Sequence, residues 1–190
     1  ATDLWKKIVH NAWKSAEPGV LFWDTVLRES VPDCYADLGF RTVSTNPCGE
    51  IPLCPYDSCR LLAINLYSYV DKPFTKEASF NFDKFRRHVA AAMRMMDDII
   101  DLELEKVEAI LEKISKDPED EDIRQVEVKL WEKIREKALQ GRRTGLGITA
   151  EGDMLAALGL RYGTDEATDF AVEIQKTLAV EAYRTSVKMA

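Results

Sequence analysis

The sequence predicts an α/β fold in which helix is the dominant element. Apolar residues recur at helical spacing through four long stretches, near 2–15, 82–115, 120–139 and from 165 onward. Two short segments, 61–70 and 143–149, read instead as strands, one by its apolar run and the other by glycines within an apolar pattern. Helices interleaved with a few strands point to part of an α/β protein.

Residues 2–15 carry Leu4, Ile8 and Ala12 with Trp5 and Trp13, and Thr2 is the expected cap. Glu17-Pro18-Gly19 breaks this helix. Val26 and Leu27 fit a further short one. From 31 to 59 no period survives, and Pro32, Gly39, Pro47, Gly49, Pro52 and Pro55 stud the chain. A long irregular segment is expected there, and such loops inside a compact domain are usually functional. Asn65 interrupts the 61–70 strand and suits a backbone bend. Asn81 is placed to cap a helix whose core face is Phe82, Phe85, Val89, Met93, Met96 and Ile100, with Asp83 at the positive end of its dipole. Met95 is expected at the core or its edge.

The helical pattern continues over 103–115 and halts at Lys116-Asp117-Pro118. A second helix over 120–139 uses Ile123, Val126, Leu130 and Ile134, and Gly141 ends it. Residues 101–140 hold 13 acids and 8 bases, most of the chain's net charge of −7. This hairpin reads as an exposed, solvated arm. Gly145 and Gly147 lack the third glycine of a dinucleotide fingerprint and the Gly-Lys-Ser/Thr of a P-loop, so close backbone packing explains them. A short helix over 150–158 ends at Gly159. Thr164 caps the last helix, with Phe170, Ile174 and Leu178 inward.

The acidic balance argues against a nucleic-acid grip, which is built from basic patches. No apolar run approaches the roughly 20 residues that span a bilayer, and Asp3, Lys6, Lys7 and His10 interrupt any signal-peptide core. A cytoplasmic setting is expected. Apolar residues at 46% suffice for a packed core, which excludes a disordered chain. The chain starts at Ala1 rather than Met and stops inside a helical pattern, so a piece of a longer protein is expected. Cys34, Cys48, Cys54 and Cys59 are too few for a disulfide scaffold. Their spacing contains no C-x-x-C knuckle, and His10 and His88 lie far off, so no metal site is expected. The histidines read as structural or exposed, Cys34 and Cys54 as inert packing groups, and Arg142 and Arg143 as cations suited to a helix C-terminus.

Chemistry concentrates in Ser44-Thr45-Asn46-Pro47-Cys48-Gly49-Glu50. In an extended segment alternate side chains point the same way, so the amide of Asn46, the thiol of Cys48 and the carboxyl of Glu50 could meet one small ligand. The run Asn46-Pro47-Cys48-Gly49-Glu50 resembles the active-site finger loop of the ribonucleotide reductase large subunit, in its adenosylcobalamin-dependent form more than its iron-dependent one. Further stretches agree in order: Glu17-Pro18-Gly19 and Phe22-Trp23-Asp24, Ser58-Cys59-Arg60 with Ile64-Asn65-Leu66, Arg142-Arg143-Thr144-Gly145-Leu146-Gly147, Asp153-Met154-Leu155, and Leu160-Arg161-Tyr162-Gly163.

The resemblance implies a mostly helical fragment of a ten-stranded α/β barrel of the glycyl-radical-enzyme-like kind. All of 1–190 would belong to a partial catalytic barrel, with 31–59 as finger loop and redox-cysteine segment and 103–139 as a charged hairpin insertion. It implies a thiyl radical on Cys48 that removes the ribose 3′-hydrogen, Glu50 as general base, Asn46 with Ser44 and Thr45 holding the substrate, and Cys59 as one of two reducing thiols. It implies adenosylcobalamin as radical source, a ribonucleotide substrate, a thioredoxin-like reductant and a homodimeric full-length enzyme. The family's second redox cysteine lies upstream and its phosphate loop downstream, and Cys34 and Cys54 do not match the former, so 1–190 alone is expected to be inactive. Two alternatives stand beside this: a reductase served by a metal-radical subunit, and a noncatalytic interaction module using the acidic hairpin.

Overall fold

A computed structural model describes residues 1–190. Helix dominates. The elements are α1 (Thr2–Ser15), α2 (Trp23–Glu29), a 3-10 helix (Val31–Leu38), β1 (Ser44–Thr45), β2 (Pro52–Leu53), β3 (Leu62–Asn65), a 3-10 turn (Leu66–Tyr69), β4 (Val70–Asp71), β5 (Ser79–Phe80), α3 (Phe82–Ser115), α4 (Glu121–Gly141), β6 (Leu146–Thr149), α5 (Glu151–Leu158) and α6 (Asp165–Met189). The strands form three two-stranded sheets: β1 with β2 and β4 with β5 antiparallel, β3 with β6 parallel. The chain divides into two compact units, Ala1–Pro55 and Tyr56–Ala190.

In the first unit α1 is amphipathic but buries no residue, and Trp13 stands 80% exposed. Its cap position is Ala1, which has no side-chain acceptor, so Thr2 lies inside the helix rather than capping it. The expected irregular stretch after 31 is partly ordered. Pro32 sits in the first turn of the 3-10 helix Val31–Leu38, where its missing N–H costs nothing, and Gly39 ends that helix at φ 90°. Asp33 fastens the helix to the approach of β1: the Thr42 N–H donates to its Oδ1 at 2.9 Å. Burial opposes the charged form of Asp33. Hydrogen bonds from Thr42 and Ser30 and the Arg41 charge outweigh it and hold the carboxyl below its ordinary value of 3.8.

The second unit is built on the parallel pair. Leu62 to Asn65 lie opposite Leu146 to Thr149 in unbroken register. The strand expected over 61–70 stops early. Asn65 ends it by accepting the Tyr67 N–H at 3.0 Å, and this turns the chain into the 3-10 turn Leu66–Tyr69. Asn81 caps α3 as its position suggests, accepting from Lys84 N at 3.0 Å, and Thr164 does the same for α6 through Ala167 N. The core joins Ile64, Leu66 and Tyr69 to Phe85, Val89 and Ala92 of α3, Met154 and Leu155 of α5, and Ala167, Ile174 and Leu178 of α6. Aromatic edges cross inside it, with Tyr69 to Phe85 at 5.1 Å and Phe80 to Phe85 at 5.4 Å between ring centroids. Such pairs add about 1 kcal/mol each beyond burial. Met93 and Met96 are buried on α3, but Met95 is 57% exposed because it falls on the opposite face.

The charged hairpin departs from expectation twice. Val107, Ile114 and Ala138 are buried, so the arm has an apolar seam. The seam of α4 runs along Val128, Trp131, Ile134 and Ala138, while Ile123, Val126 and Leu130 are exposed. Two apolar stripes compete on α4, and periodicity cannot choose between them without the partner helix.

The closest backbone approach is at Gly145. A Cβ there would lie 2.1 Å from the Arg60 carbonyl oxygen. Gly145→Ala in the full-length protein is therefore expected to cost about 3 kcal/mol or more, read as a fall in thermal midpoint. An unchanged midpoint would contradict the approach of the two segments. A second prediction concerns acid stability. Because the Asp33 carboxyl is depressed in the folded state, its contribution is present above its ordinary value of 3.8 and is lost as pH falls through the lower folded value. Asp33→Asn should lower the unfolding midpoint at neutral pH, and the difference from wild type should shrink on acidification.

Candidate functional site

The Asn-Cys-Glu motif occupies the loop of a short hairpin. Ser44 pairs with Leu53 and Thr45 with Pro52. Pro52 donates no ladder bond, as a two-strand edge allows. Asn46 closes the loop from both sides. Its N–H donates to Ile51 O at 3.1 Å, its carbonyl accepts from Gly49 N at 3.0 Å, and its side-chain Oδ1 accepts from Ile51 N at 3.0 Å. The order Asn-Pro-Cys-Gly is what a type I turn favours, with Asn first, Pro second and Gly fourth. Gly49 adopts φ 83°, which a side chain would strain.

This geometry corrects the extended arrangement expected for 46–50. A turn at Pro47 and Cys48 replaces the alternation. Asn46 is 8% exposed and lies beneath the loop, while Cys48 and Glu50 are exposed on it. All three share one six-residue loop. The Ser44 and Thr45 hydroxyls donate to the carbonyls of Thr45 and Asn46 at 3.4 and 3.0 Å.

Cys59 belongs to the second unit, on the segment that enters β3. Its thiol is exposed, yet its neighbours are held firmly. Asp57 Oδ1 accepts the Ser58 N–H at 2.8 Å, and Asp57 Oδ2 accepts from Arg143 Nη1 at 3.1 Å. The buried Arg60 donates from Nε to Glu103 of α3 and from Nη1 to Arg143 O at 2.9 Å. Arg142, in the left-handed region at φ 39°, donates to Asp97 at 2.7 Å and Asp101 at 2.8 Å. Those hydrogen bonds and charges hold the Arg142 guanidinium above its ordinary value against the opposing effect of burial. Arg142 and Arg143 thus meet carboxylates rather than a helix end alone. Asp57 and Glu103 were not readable as partners of this segment, because the pairs join residues 86 and 43 positions apart.

None of the four cysteines is in a disulfide. Cys54 is buried as a packing group would be, whereas Cys34 is exposed. His88 is exposed and shares a 3.0 Å hydrogen bond with the Tyr69 hydroxyl, and His10 packs on Trp13 with ring centroids 5.7 Å apart.

A braced turn presenting a thiol and a carboxyl invites comparison with known proteins. The family model for the ribonucleotide reductase barrel domain matches residues 1–190. The chain belongs to that family. It is 32% identical over 190 residues to a vitamin B12-dependent ribonucleoside-diphosphate reductase of Thermoplasma acidophilum, covering 100% of this chain and 21% of that protein. It is 30% identical over 191 residues to the protein of the same name in Mycobacterium tuberculosis, covering 100% of this chain and 23% of that protein. A vitamin B12-dependent ribonucleotide reductase of Agrobacterium fabrum is 27% identical over 190 residues, again with the whole of this chain and with 12% of that protein. The chain therefore spans a quarter or less of the length of these relatives. No helix of this ribonucleotide reductase barrel segment is long and apolar enough to cross a membrane.

Asn46→Ala removes the acceptor for Ile51 N. It should cost the first unit about 1 kcal/mol and raise amide hydrogen exchange at Ile51 and Gly49, with little change in the second unit. Protection equal to wild type at both amides would show that the side chain does not brace the turn.

Proposed function

We propose that residues 1–190 form part of the catalytic barrel of an adenosylcobalamin-dependent ribonucleotide reductase, an enzyme that converts ribonucleotides to 2′-deoxyribonucleotides for DNA synthesis. The observation that carries this is the loop itself: an exposed thiol at Cys48 and an exposed carboxyl at Glu50, on a turn that the buried Asn46 ties shut. The similar proteins are vitamin B12-dependent, which supports this cofactor over a metal-radical subunit, and the Thermoplasma and Mycobacterium proteins are ribonucleoside-diphosphate reductases, which supports a diphosphate substrate. In this reading the ten-stranded barrel is completed by the rest of the full-length chain, 31–59 supply the finger loop and the redox-cysteine segment, and 103–139 are an insertion.

The chemistry divides among named atoms. Adenosylcobalamin, when bound, supplies the radical by homolysis of its cobalt–carbon bond. A thiol that receives it must be accessible and well placed, and Cys48 Sγ on the braced turn meets that need. A thiyl at Cys48 takes the ribose 3′-hydrogen, a nearly balanced exchange between bonds of similar strength. Glu50, as carboxylate, accepts the 3′-hydroxyl proton and eases departure of the 2′-hydroxyl as water. Asn46, Ser44 and Thr45 keep the ribose in register, and positioning of this kind is worth several kcal/mol. Two electrons and two protons come from Cys59 and a second thiol of the full-length protein as their sulfurs join in a disulfide. The Cys48 hydrogen then returns to C3′. The net exchange is ribonucleotide plus dithiol giving deoxyribonucleotide, water and disulfide, and a thioredoxin-like dithiol resets the pair. We place the enzyme in the cytoplasm as a homodimer, acting on free nucleotides rather than on nucleic acid or at a membrane.

The test uses the full-length protein. Cys48→Ala should lower turnover by at least about a thousandfold with the thermal midpoint unchanged. Cys59→Ser should leave adenosylcobalamin binding intact and stop sustained turnover. Normal turnover by Cys48→Ala would overturn this reading and favour a noncatalytic role for the acidic hairpin.

A further inference from the structure

We propose that Asp57, Arg60, Glu103 and Arg143 are positioning residues for the Cys59 thiol, and that the charged hairpin reaches the chemistry through them. The proposal rests on the reading of Cys59 as a reducing thiol. Cys59 is exposed, but both of its flanks are anchored to distant chain. On one side Asp57 pairs with Arg143, at side-chain exposures of 6% and 19%. On the other, Arg60 pairs with Glu103, at 4% and 24%. The two pairs are joined, since Arg60 Nη1 also donates to the Arg143 carbonyl at 2.9 Å. Gly145 lies flush against the Arg60 carbonyl, and its own carbonyl accepts from Leu62 N at 3.0 Å. The segment 57–62 is thus tied to the middle of α3, to the chain after α4 and to β6.

Stability alone does not account for this choice of residues. Apolar side chains of similar volume often stabilise an interior as well as a buried ion pair does. What charges add here is direction. The planar guanidinium of Arg60 bonds a carboxylate through Nε and a backbone carbonyl through Nη1, and this fixes its orientation in a way lysine cannot. Two other pairs of the hairpin differ. Arg135–Glu108 and Lys116–Glu112 have both partners about half exposed or more, where pairing contributes little. The buried network coincides with the segment that bears the thiol.

A thiol that gives up its hydrogen and joins a second sulfur has to meet it in line, then meet the external dithiol after turnover. Both steps depend on where its sulfur stands. Loosening the anchors should therefore act on electron delivery and not on substrate binding.

The experiment uses the full-length enzyme with adenosylcobalamin, ribonucleoside diphosphate and a dithiol reductant. Two quantities are measured for each variant: steady-state kcat and KM, and the alkylation rate of Cys59 by iodoacetamide, read by mass spectrometry without cofactor. Glu103→Ala and Arg60→Lys should each lower kcat and change the Cys59 alkylation rate by about tenfold, with KM little altered. Glu103→Gln keeps an acceptor for Arg60 Nε and should restore most of both. Glu108→Gln, on the same helix, should match wild type. If Glu103→Ala fails to fold, Arg60→Lys and Glu103→Gln carry the comparison. Wild-type kcat and alkylation in the folded variants, while Cys59→Ser still stops turnover, would overturn the positioning role and leave the thiol's role intact. Normal turnover by Cys59→Ser would instead remove the reading beneath it.

Discussion

The parallel pairing of β3 with β6 governs residues 56–190. Parallel neighbours cannot be joined by a tight turn, so the chain between them must make a long crossover, and α3 and α4 are part of it. The pairing also sets how close two backbones come. Where the chain after α4 joins β6, Gly145 meets the Arg60 carbonyl with no room for a side chain. That approach brings Arg143 beside Asp57 and Arg60 and holds the chain that carries Cys59. The core of Phe85, Val89, Leu66, Met154 and Ile174 packs beside the strand pair and keeps it in place.

The hairpin of the first unit solves a different problem. It has few buried residues, so apolar burial does little to hold the loop that carries Cys48 and Glu50. Hydrogen bonds do it instead. Asn46 spends its backbone and its side-chain oxygen on closing the turn, and this leaves Cys48 and Glu50 on a defined surface. Asn46 is thus the brace of its own loop. Its structural effect is read directly by exchange at Ile51 and Gly49.

The acidic surface of the hairpin is similarly divided. Much of it is solvated, as its composition suggests. Glu103, and Asp97 just before the hairpin, are less exposed because each meets an arginine brought from a distant part of the chain. Glu103 links the long α3 to the segment entering β3, and Asp97 with Asp101 links it to the end of α4, which makes α3 a structural spine rather than the stem of a free arm.

The sequence by itself determined where the long helices run and several of their ends. Asn81, Thr164 and Gly159 act where local chemistry puts them, and the α3 and α6 core faces follow the 3.6-residue period. The Asn-Pro-Cys-Gly order of 46–49 is itself a turn signal, and the chain turns there. Only the tertiary structure decided the rest. It chose the Val128 and Trp131 stripe of α4 over the Ile123 and Val126 one, and it paired Asp57 with Arg143 and Arg60 with Glu103. The reason is range. Caps and periods act over a few residues, while ion pairs and backbone approaches join positions tens of residues apart, and nothing in the local pattern records which of many like charges will be brought together.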